Sequence, residues 1–78
     1  MTRSKVLDDL IDIINYAAFI YCQLDSEATP VDVLVKAGET YIKRKDEYRD
    51  AWKKMHVDEL VAGLRLKAGR IAAMVHEE

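Results

Sequence analysis

From Val6 to Tyr21 the chain is apolar except at Asp8, Asp9, Asp12 and Asn15, the tyrosine hydroxyls apart. Those exceptions recur on one side of a helix. At about 100° per residue, Asp8, Asp12, Asn15 and Phe19 fall in a strip roughly 60° wide, with Asp9 and Tyr16 on its edge. Val6, Leu7, Leu10, Ile11, Ile13, Ile14, Ala17, Ala18, Ile20, Tyr21 and Leu24 fill the remaining arc of about 200°. A surface helix normally shows an apolar stripe nearer about 100° wide. This helix therefore needs cover from two sides, from the rest of the chain or from a second copy. Ser4 suits its N-cap, and the aspartates of its early turns suit the positive end of the helix dipole.

The polar, aperiodic run Asp25-Ser26-Glu27-Ala28 predicts a connection. In Thr29-Pro30-Val31-Asp32, Thr29 is a capping residue and Pro30 takes the first helical position. Asp32 completes an arrangement like a capping box. Leu34, Ala37, Tyr41, Lys45, Tyr48, Trp52 and Met55 then recur at spacings of three and four, which predicts one helix as far as Lys54. Lys43, Arg44, Glu47, Asp50 and Lys54 form its solvated face, and Gly38 marks a kink or a close crossing. A break over Lys54-Met55-His56-Val57 precedes a third helix, with Asp58 and Glu59 in its first turn. That helix buries Leu60, Val61, Leu64, Ala68, Ile71, Met74 and Val75. No strand alternation is present. The expectation is an all-α domain spanning 1–78, with helices at about 4–24, 30–54 and 57–76, closed into a bundle by homo-oligomerisation.

Composition sharpens that picture. A chain of 78 residues buries only about 60% of its unfolded surface and is marginal alone. With one cysteine it has no internal disulfide, and its Cys and His spacing suggests no structural zinc. Oligomerisation is the remaining route to stability, and a two-fold dimer is the commonest form. The net charge of −2 argues against nucleic acid as a partner. Neither a signal peptide nor a bilayer-length apolar run is legible, so a cytoplasmic protein without membrane contact is expected. Cys22 reads as a small core residue.

Three groups of residues are candidates for chemistry. Asp8 with Asp12, or Asp9 with Asp12, meet on one helix face and suit a hard cation such as Mg²⁺. The alternative is a solvated edge to a buried helix. Lys67 falls among Leu60, Ile71 and Met74 on the third helix, with Arg70 on the rim. Such a lysine snorkels, pairs with a carboxylate or binds an anion. Tyr41, Tyr48 and Trp52 at helical spacing are either core or a stacking wall for a nucleobase.

Two segments carry a family resemblance. Asp9-Leu10-Ile11-Asp12-Ile13-Ile14-Asn15-Tyr16-Ala17 resembles the last motif helix of the all-α nucleoside triphosphate pyrophosphohydrolases. It is most similar to the MazG-like, nucleotide-modification-associated branch of phages and bacteria. Lys45-Asp46-Glu47-Tyr48-Arg49-Asp50-Ala51-Trp52 and Leu64-Arg65-Leu66-Lys67-Ala68-Gly69-Arg70-Ile71 resemble earlier parts of that branch. The order is permuted. Either the chain is circularly permuted, or the first helix of one subunit completes a bundle with the later helices of another. The resemblance implies binding of a nucleoside triphosphate with Mg²⁺ and cleavage to monophosphate and pyrophosphate. It implies Asp8, Asp9 and Asp12 at the metal, Lys67 and Arg70 at phosphate, and Tyr48, Trp52 and Asn15 flanking the base. The family's Glu-Glu-x-x-Glu motif is missing, since Asp58-Glu59 is followed by Ala62 at the third acidic position. That departure points to a nucleotide-binding relative without catalysis. The alternative expectation is a non-catalytic helical homodimer acting as a protein interaction module, such as a phage or mobile-element accessory protein.

Overall fold

A computed structural model of the chain describes residues 2–48 and 50–76, the side chain of Tyr48 excepted. It is all-α, and the described residues contain no strand. Four helices follow in order: α1 (Arg3–Leu24), α2 (Pro30–Tyr48), α3 (Ala51–Lys54) and α4 (Val57–Val75). The chain divides into two compact units, Met1–Arg44 and Lys45–Glu78.

The first unit is a helical hairpin. α1 begins a residue earlier than expected, with Thr2 rather than Ser4 in the extended capping position, and Thr2 makes no side-chain capping bond. The first turn holds no acid, so Asp8 and Asp9 lie beyond the reach of the dipole effect. The helix ends on Leu24 as expected. The Asp25 N–H donates to the Tyr21 carbonyl at 2.8 Å, and the Asp25 carboxylate accepts from the Glu27 N–H at 3.2 Å. That Asx-type turn reverses the chain into α2.

The start of α2 is the reciprocal cap its sequence predicts. The Thr29 N–H donates to Asp32 Oδ2 at 3.0 Å, and the Asp32 N–H donates to Thr29 Oγ1 at 3.3 Å. Further along, Lys36 Nζ donates to the Tyr21 hydroxyl at 3.0 Å and sits 5.6 Å from the centre of its ring. This contact ties α2 to α1, and the hydrogen bond holds Lys36 above the ordinary lysine pKa. A Cβ added at Gly38 would meet nothing within 4 Å, so no close crossing occurs at that glycine in this chain.

The predicted helix over 30–54 is interrupted. α2 stops at Tyr48, and Asp50 adopts a left-handed conformation with φ 59° before the single turn of α3. Asp is among the few residues besides glycine that visit this region, because its short polar side chain bonds locally. Here its carbonyl accepts from the Lys53 N–H at 3.0 Å, and its carboxylate lies 3.7 Å from Lys53 Nζ. The apolar spacing runs on through Trp52 and Met55, so periodicity alone does not register the break.

In the second unit, Met55 and His56 are extended, and α4 opens with Asp58 and Glu59 in its first turn, as expected. The expected burial along α4 is absent. Leu60, Val61, Leu64, Ile71, Met74 and Val75 are all exposed, as are most large apolar residues of α1 and α2. Among the described residues Ala18 alone is fully buried, at 1% exposure. A helix with apolar residues over so wide an arc needs more neighbours than one hairpin supplies.

The reciprocal cap has a pH signature. Hydrogen bonds from the Thr29 backbone, then from its side chain, hold the Asp32 carboxyl below the ordinary aspartate value. Its contribution is present above the unfolded value of about 3.9 and is lost as pH falls through the lower folded value. An NMR titration should therefore find the Asp32 midpoint below about 3.9. Replacing Thr29 by Ala should destabilise α2 by about 1 kcal/mol in thermal melts. A normal Asp32 midpoint with an unaffected melt would contradict the cap.

Candidate functional site

The acidic seam stands on α1 as an exposed strip. Asp8, Asp9, Asp12 and Asn15 are all solvent-exposed, with Asp8 and Asp12 one turn apart. None of their side chains has a hydrogen-bond or ion-pair partner among the described residues. The carboxylates are thus available to an incoming cation. They do not form a closed cage: no group of three or more His, Cys, Asp or Glu among the described residues is placed to hold a metal ion. The donor chemistry fits Mg²⁺ held by one or two carboxylates, with waters and ligand oxygens completing its octahedron.

Beside the seam, Tyr16 and Phe19 meet edge to face, with ring centres 6.3 Å apart and planes at 86°. Both rings are exposed. Sequence reading placed them on the polar strip without pairing them, although their separation of three residues is a neighbour spacing on a helix. The Lys36–Tyr21 contact was also missed. It depends on the register of two helices, which no single-helix pattern records.

The residues assigned to phosphate lie in the second unit. Lys67 and Arg70 are three apart on α4, exposed and without a partner among the described residues. The sequence placed Lys67 inside an apolar face, where burial would force it to snorkel or pair. Leu60, Ile71 and Met74 are themselves exposed, so that pressure does not act on the lysine in this chain.

Of the two aromatic residues assigned to the base, Tyr48 has its side chain outside the described residues. Trp52, on α3, is about half exposed at 48%. Lys53 Nζ lies 5.6 Å from its ring centre, a cation–π contact. A base stacking on that face would displace the ammonium. Asn15, the third base-flanking candidate, belongs to the first unit with the aspartates. The metal-directed and phosphate-directed residues therefore fall in different compact units, each ordered by its own helix.

No helix among the described residues is long and apolar enough to cross a membrane. The chain matches no family model, no curated protein and no solved structure.

Proposed function

We propose that this chain is a helical association module, a subunit whose apolar faces close against helices of an assembly. The observation that supports this reading is the exposure of large aliphatic residues along α1, α2 and α4, while among the described residues Ala18 alone is buried. Fully burying one such side chain is worth about 1.5–3 kcal/mol. Contiguous apolar faces of this extent on a small helical chain mark sites of association. Chains below about 80 residues seldom reach adequate stability from a single core of their own.

A second reading rests on a different observation, the unpaired and exposed Asp8 and Asp12 one turn apart. In it the MazG-like resemblance holds, and Asp12 with Asp8 or Asp9 binds Mg²⁺ carried by a nucleoside triphosphate. Lys67 and Arg70 hold the phosphates, and Asn15, Tyr48 and Trp52 flank the base. Turnover in this reading separates the α- and β-phosphates and yields monophosphate and pyrophosphate. Association and nucleotide binding are compatible, because the seam lies outside the main apolar arc of α1.

Two outcomes test these readings. Thermal melts of the chain over a concentration range of about 1 to 100 µM should show a midpoint that rises with concentration, as mass action requires when association stabilises the fold. A cooperative melt independent of concentration would contradict the association reading. For nucleotide binding, a ligand at 100 times its Kd adds about 2.7 kcal/mol, or several degrees in a domain of this size. Mg²⁺ with a triphosphate should raise the melting point of the unaltered chain, and Asp12→Asn should abolish the shift without unfolding. An unchanged shift in that variant would rule out the seam as the cation site.

A further inference from the structure

The second unit holds a long helix with little beside it. α4 presents Leu60, Val61, Leu64, Ile71 and Val75 along one side, each 37–44% exposed with the whole chain present. Apart from the last turn of α2, the described residues of that unit add only the single turn of α3.

Charge restricts which helix can lie against this stripe. Between Val61 and Val75 the charged residues of α4 are Arg65, Lys67 and Arg70, with no acid among them. They occupy the middle of the helix, so a second α4 laid alongside in either direction brings cations together. Like charges set side by side reject such a partner. α2 carries four residues of each sign, so it offers no net charge to match. α1 does offer one. From Val6 to Leu24 its charged residues are Asp8, Asp9 and Asp12, with no base among them. None of these six side chains has a hydrogen-bond or ion-pair partner among the described residues. The spacing agrees as well, since Asp9 and Asp12 are three apart, as are Lys67 and Arg70. The apolar arc beside the aspartates is open too, with Leu7, Ile11 and Ile14 46–58% exposed.

Resting on the association reading, we propose that the occupant of the α4 stripe is α1 of a second copy. The second copy supplies the helix because the stripe stays open in a chain that already contains an α1. A two-fold arrangement forms the contact twice, α1 of each copy lying on α4 of the other. Burial of apolar surface drives the pairing, and the charges bordering it choose the partner. Exposed ion pairs add little affinity one by one, whereas like-charge contacts exclude the wrong helix.

Charge reversal with complementation tests the pairing in the full chain. One variant carries Asp8→Lys, Asp9→Lys and Asp12→Lys, and the other carries Arg65→Glu, Lys67→Glu and Arg70→Glu. All six positions are exposed. Each variant alone sets like charges together in both contacts and should associate at least about tenfold more weakly than the unaltered chain. Their equimolar mixture sets opposite charges together and should regain a two-chain species in sedimentation at low salt. Should the triple reversals be unfolded even when mixed, Asp9→Lys with Asp12→Lys and Lys67→Glu with Arg70→Glu repeat the test. Variants that associate alone as the unaltered chain does overturn the proposal, as does a mixture that stays monomeric. Recovery only in a single chain carrying both sets of reversals, at the mass of one chain, overturns it as well. An unaltered chain that still associates in any of these cases leaves the association reading standing. An unaltered chain that stays monomeric removes both.

Discussion

An α-helix hides its apolar surface only where another element lies against it, and α1 offers more of that surface than α2 covers. Ala18 alone among the described residues is fully removed from water, with Val6, Tyr21 and Cys22 of the same helix half-buried. Every other large apolar residue of α1 keeps a substantial share of its surface in water. The hydrophobic effect scales with the area removed from water. Most of the stabilisation latent in this sequence is therefore unrealised within one chain. The same holds along α4, whose apolar stripe is regular but bare.

Local features legible in the sequence are those whose cause is local. The reciprocal bonds of Thr29 and Asp32, the end of α1 at Leu24 and the start of α4 after His56 follow from a few adjacent residues. The break at Asp50 was not legible, because the apolar residues on either side keep helical spacing while one backbone turns left-handed. An aspartate on a solvated face and an aspartate ending a helix look alike in sequence. Expected burial failed for a different reason. Periodicity identifies which face of α4 is apolar, but not whether the chain itself supplies what covers it.

The charged residues divide in the same manner. Sequence spacing correctly placed Asp8 and Asp12 one turn apart on α1, and Lys67 and Arg70 together on α4. Their exposure was not legible for Lys67, whose assigned tension depended on a buried face. The aspartates remain unpaired and solvent-facing, which suits either a solvated edge of an assembled bundle or a site for a hydrated cation. The association and nucleotide readings therefore draw on different sides of α1. One uses its apolar arc, the other its acidic strip.

Sedimentation equilibrium of the unaltered chain at micromolar concentration tests the need for association most directly. The account predicts a helical species with at least twice the chain mass of 8.9 kDa. It also predicts loss of helical signal on dilution as that species dissociates. A single species of 8.9 kDa that keeps its full helical signal on dilution would contradict it.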